Sequence, residues 1–153
     1  MNTNRLFVLT LALLMSVVSF AQKGSVTKAD SYLAKSEFAN AKAEIDVAIT
    51  IEKNALKSKT WFVRGKIYQA IATSTDEAVS SLDAEALNKS VEAYNKVLEM
   101  DKENSPNYLI ANTNLDAIWG NFINAGGTVY GEENFEGALA NFAKRRAISV
   151  LPT

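Results

Sequence analysis

Histidine and cysteine, on which much general-base, nucleophilic and transition-metal chemistry depends, are both absent from this 153-residue chain. Their absence removes disulfides, thiolate nucleophiles, thiolate-bound metals and a thioether lipid anchor. Carboxylates remain, and Asp76-Glu77 and Glu132-Glu133 are the adjacent acid pairs to weigh as a metal site or an acid–base pair. Neighbours in a helix point in different directions, so neither pair converges on one point. Each also falls just before or at an expected helix start, where the helix dipole favours negative charge. Gly126-Gly127 lacks the spacing and the lysine of a phosphate loop. Lys144-Arg145-Arg146 reads as cations that complement the dipole late in a last helix. A formal net charge of -1 draws the chain strongly to neither nucleic acid nor an anionic membrane. A hydrolase working through Asp and Glu would need a closed pocket where two carboxylates meet, and no motif supplies one. The expectation is no catalytic group, no metal and no cofactor.

The elements that must position the remaining side chains are helices. Apolar residues make up 48% of the chain and charged residues 22%, with only two prolines and seven glycines. The abundant Ala, Leu, Lys and Glu lose little side-chain freedom in a helix. Residues 1–21 are set apart: Arg5 precedes the apolar run Leu6 to Val18, and Ser19-Phe20-Ala21 puts small residues where a signal peptidase looks. The run is short for about 30 Å of hydrocarbon at 1.5 Å per residue. It predicts a signal peptide cleaved between Ala21 and Gln22, an exported (periplasmic or secreted) product, and no stable membrane insertion after cleavage. Cleavage takes away Arg5 and no acid, leaving a net charge of -2.

From Val26 onward one helix follows another. Thr27-Lys28-Ala29-Asp30 fits a capping box with Thr27 as the cap. Phe38, Ala41, Ile45 and Ala48 form a stripe at helical spacing. Trp61, Gly65, Tyr68 and Ala72 share a face of the next helix, with Val63, Ile67 and Ile71 alongside. The stretch 73–83, rich in Thr, Ser and Asp, reads as a loop or a short extra turn. Periodicity returns with Leu87, Val91, Tyr94 and Leu98. Ser105-Pro106 then supplies an N-cap and a first-turn proline for a helix to about Tyr130, which Gly126-Gly127 could bend or end. A last helix is expected over about 134–150. No segment alternates as a strand would, so the fold class is all-α.

The run Trp61-Phe62-Val63-Arg64-Gly65-Lys66-Ile67-Tyr68 resembles the first-helix signature of a tetratricopeptide repeat, W-x2-L-G-x2-Y, with Arg64 where leucine is usual. Second-helix-like copies contain Phe38 with Ala41 and Ala48, Ser90 to Tyr94, and Ala138 with Phe142. The corresponding positions Ala41, Ser90 and Ala138 lie 49 and 48 residues apart, against about 34 in a standard repeat. Arg145 and Lys102 depart from the family's small residue and closing proline.

The resemblance implies helix-turn-helix repeats stacked as a short α-solenoid over 25–153, with repeats at 25–54, 58–104 (loop inserted at 73–83) and 105–153. Trp61, Gly65, Tyr68, Ala41, Ala48, Tyr94, Ala138 and Phe142 would be repeat-packing residues. The concave groove would hold a segment of another protein or peptide, of acidic character, through Lys59, Phe62, Lys66 and Gln69, with Ile123 and Tyr130 in the third repeat. A competing expectation is a self-assembling subunit, or the front part of a longer repeat protein, because no polar capping helix follows the last repeat.

Overall fold

A computed structural model describes residues 24–131, with side chains for 24–121. The expected signal peptide, the last helix and the residues Ala21, Gln22, Ala138 and Phe142 lie outside the described residues. Within them the chain is all-helical, with no strand. Five longer helices are α1 (Val26–Ala34), α2 (Phe38–Ile49), α4 (Ser58–Ala72), α6 (Ala86–Met100) and α7 (Pro106–Gly131). Two one-turn helices, α3 (Glu52–Ala55) and α5 (Glu77–Ser80), lie in the connections. None of the described helices is long and apolar enough to cross a membrane.

Local chemistry sets most boundaries. Ser105 Oγ accepts from Tyr108 N as α7 begins at Pro106, and the helix runs unbroken through Gly126-Gly127 to Gly131. The stretch 73–83 contains α5, whose first turn is capped by the Asp76 carboxylate accepting from Ala78 N at 2.9 Å. Asp76 thus serves as a helix cap. At α1 the expected capping box is corrected: Ser25, not Thr27, is the N-cap, and its Oγ accepts from Lys28 N at 3.3 Å. The return bond that Asp30 was expected to make comes from Glu44 on α2, whose Oε2 accepts from Ser25 N at 2.9 Å. A carboxylate 19 residues away thus outcompetes the local pattern. At its other end α1 closes with Ser36 at φ 60°, Ser36 N donating to Leu33 O and Glu37 N to Tyr32 O. This is the left-handed closure usually made with glycine.

Helix α4 lies between two apolar clusters. On one side Val63, Ile67 and Ile71 pack with Ala29 of α1 and Ala41, Ile45 and Ala48 of α2, and Tyr68 and Ala86 join them. On the other, Trp61 and Phe62 pack against Val91, Tyr94 and Val97 of α6 and Ala111, Leu115 and Ile118 of α7. Ile45, Ile67 and Ile71 are fully buried, and each contributes about 1.5–3 kcal/mol relative to an exposed position. Gly65 makes the α4–α6 contact possible, since a Cβ there would lie 2.5–3.0 Å from Tyr94 ring atoms. The long helices pack in sequence, α1 on α2, α2 on α4, α4 on α6 and α6 on α7. In addition, α4 touches both α1 and α7.

Candidate functional site

Four of the residues expected in a groove lie along α4, and the structure gives them unequal surroundings. Phe62 is half-buried, its ring 6.5 Å from that of Tyr94. Lys66 reaches α1, with Nζ 2.7 Å from Asp30 Oδ1 and 5.2 Å from the Phe62 ring centre. Gln69 Oε1 accepts from the Tyr94 hydroxyl at 2.6 Å, and the Tyr94 hydroxyl oxygen in turn accepts from Asn114 Nδ2 at 2.9 Å. This relay ties α4 to α6 and α7, and burial pushes the Tyr94 hydroxyl well above the ordinary tyrosine range. Lys59 is exposed. Ile123 and Tyr130 belong to α7, but their side chains are outside the described set.

Phe62, Lys66 and Gln69 therefore form a strip along α4, with an aromatic face, a cation paired across to α1 and an amide committed to α6. The Lys66–Asp30 pair is about one-third exposed on both sides, so its contribution to stability is small. Such a pair can open to let an incoming charge replace either member. Trp61 points its indole into the fold, Nε1 donating to Ala55 O at 2.7 Å.

A second cluster surrounds Tyr68, and reading the sequence did not find it. Asp46 of α2 accepts from Arg64 at 2.6 Å, from the Tyr68 hydroxyl at 2.7 Å and from Lys42 at 2.9 Å. Asp83, just before α6, pairs with Lys89 at 2.6 Å and Lys42 at 3.5 Å. The Arg64 guanidinium also lies 4.6 Å from the Tyr68 ring centre, within cation–π range. Burial pushes the Asp46 carboxyl up, but the hydrogen bonds from Tyr68, Lys42 and Arg64 together hold it below its ordinary value. Asp83 follows the same pattern: burial raises it, while Lys89 and the Glu85 backbone N–H bring it down. Burial, aided by the bond to Asp46, pushes Tyr68 up to about 12. Each carboxylate is neutralised by cations and the phenol holds its proton, so the cluster fits a clamp joining α2, α4 and α6 better than an acid–base site. Its only local signal was Arg64 in a position where leucine is usual.

Lys59 lines a cavity of about 510 Å³ at the starts of α1 and α4, together with Ser25, Thr27, Lys53, Lys57 and Thr60. Thr60 is 1% exposed and its hydroxyl has no hydrogen-bond partner. Gln69 borders a smaller cavity of about 200 Å³ with Leu87, Ile118 and Asn121. No group of three or more potential metal-ligating side chains occurs among the described residues. Comparison with protein-family models, curated proteins and solved structures returns no match. The functional reading therefore rests on the chain's own residues.

Proposed function

We propose that this chain is a tetratricopeptide-like binding module that holds a segment of another protein along α4, between α1 and α7, and performs no chemistry on it. The observation that carries the reading is the order of packing. Each long helix rests on its predecessor, and α4 additionally touches α1 and α7. Stacked helix pairs have this nearest-neighbour order, with the first helix of each pair lying beside the next first helix. In that arrangement Phe62 offers an apolar anchor, and Lys66 with Asp30 offers a charge pair that an acidic segment could enter. The leader at residues 1–21 supports export to the periplasm or beyond, and N-terminal sequencing of the exported product should begin at Gln22.

The test is selection of binders from a displayed peptide library with the full chain, followed by hydrogen-exchange mapping of the strongest one. Protection is expected on α4 and its flanks on α1 and α7. Protection confined to the outer faces of α2 and α6 would sink the reading.

Self-association is a second reading, favoured by one observation. Leu109 and Ile110, adjacent on α7, are 53% and 48% exposed. A mass that rises with concentration in light scattering, and stays monomeric in the Leu109→Ser, Ile110→Ser double variant, would establish it.

A further inference from the structure

The Tyr94 hydroxyl carries a single proton, and this decides which way two neighbouring amides face. It donates to Gln69 Oε1 on α4 and accepts from Asn114 Nδ2 on α7. A side-chain amide has one oxygen head and one nitrogen head. With its oxygen turned to Tyr94, Gln69 presents Nε2, a donor, on the side away from the buried ring. Asn114, with its nitrogen turned to Tyr94, presents Oδ1, an acceptor. Flipping both amides exchanges these roles but still leaves one donor and one acceptor, because one hydroxyl proton serves one oxygen.

Neither outward head has a hydrogen-bond partner among the described residues. Nor does either belong to the shielded polar atoms that lack one. Both residues are half-buried, and Gln69 lines the cavity of about 200 Å³ between α4, α6 and α7. Ala72, Leu87 and Ile118 wall that cavity, and no charged side chain lines it. An apolar cavity of about 150 Å³ already holds benzene, so this one has room for an aliphatic side chain.

From this pairing we infer that Gln69 and Asn114 clasp the main chain of one residue in an extended polypeptide segment, and that the cavity beside them seats an aliphatic side chain of that segment. In an extended strand the N–H and C=O of one residue point to the same edge and exchange two hydrogen bonds with a facing donor and acceptor. The outward heads supply such a donor and acceptor, tied together by bonds of 2.6 and 2.9 Å to one oxygen. A carboxylate only accepts and an ammonium only donates, so either one satisfies one head and opposes the other. Here the segment is read by its backbone and one apolar side chain, and an acidic side chain is left to Lys66, about one turn earlier on α4. The inference rests on the reading that α4 faces a bound segment, and it names what holds that segment.

The test starts from the strongest peptide that the full chain selects from a displayed library, remade as a set in which each backbone N–H in turn becomes an ester oxygen. One position should bind about three- to tenfold more weakly, the loss of one neutral hydrogen bond. That penalty should vanish in Asn114→Ala, which has already lost the acceptor. It should shrink in Tyr94→Phe, which keeps both amides and the ring beside Gly65 but no longer fixes how the amides face. A cooperative thermal melt of Tyr94→Phe controls for folding, and Asn112→Ala, exposed on another face of α7, should leave the ester profile unchanged. The peptide should carry an aliphatic residue at or next to the sensitive position, and its replacement by Asp should cost about tenfold or more. Protection of α4 in hydrogen exchange with no position-specific ester penalty would overturn the clasp while segment binding stands. An undiminished penalty in Asn114→Ala and Tyr94→Phe would do the same, and an unchanged affinity with Asp would strike out the cavity's part. Failure of the selected peptide to protect α4 would remove clasp and segment binding together.

Discussion

A methyl group added at Gly65 would fall 2.5–3.0 Å from Cε1, Cδ1 and Cζ of Tyr94. The ring has little freedom to yield, being fully buried with its hydroxyl tied to Gln69 and Asn114. Alanine would gain about 1 kcal/mol in helix propensity, against about 1–3 kcal/mol for overpacking a filled site. Gly65→Ala should therefore lower unfolding free energy by up to roughly 2 kcal/mol in urea titration; a gain would mean that Tyr94 can move. Ser36 presents the opposite case. It is exposed, sits at φ 60° and closes α1 in a conformation that suits glycine. Ser36→Gly should raise stability by up to about 1 kcal/mol, measured the same way. Gly65 was marked as a packing residue by the resemblance to the repeat signature. The left-handed serine was not, because nothing in Lys35-Ser36-Glu37 marks a helix end.

Two helix starts were readable from groups that are neighbours in sequence. Ser105-Pro106 announces α7, and the Asp76 cap of α5 lies beside its own helix. The start of α1 was misplaced by two residues because Ser25 and Thr27 are both plausible caps, and the choice is made by Glu44 on α2. The two hydroxyls should accordingly differ in effect. Ser25→Ala should cost about 1 kcal/mol of stability, as for a lost cap. Thr27→Ala, at an exposed position inside the helix, should stay within about 0.5 kcal/mol. Equal losses in thermal melts would restore Thr27 as the cap. The clamp around Tyr68 was hidden for the same reason. Lys42, Asp46, Arg64, Asp83 and Lys89 come from four segments, and only the packed structure brings them together.

The whole molecule inherits a pH dependence from that clamp. Asp46 and Asp83 both have carboxyls held below their ordinary value in the folded protein. The unfolded chain therefore binds protons at these positions before the folded one does, and protonation favours unfolding. The resulting stability is present above the ordinary carboxylate range near pH 4 and is lost as pH falls below it. Asp46→Asn should flatten the acid limb of a stability–pH profile. It should also cost roughly 1–2 kcal/mol at neutral pH, a modest figure because the carboxylate is about one-third exposed and partly screened. An unchanged acid limb would show that the ion pairs do not persist in solution.

Asp83 divides the connection between α4 and α6 into unlike halves. From Leu82 onward the chain is bolted down: Leu82 packs on the first apolar cluster, and Asp83 is gripped by Lys42 and Lys89. Between Thr73 and Asp76 the backbone lies at the surface with only short-range hydrogen bonds. New sequence spliced in at Thr75 would leave both helices and the clamp in place, whereas the same graft at Ala84 would pull Asp83 away from Lys89 and break the link it makes between α2 and α6. The loop's early half can therefore accept an epitope, a tag or an entire inserted domain, while its late half works as a hinge pin.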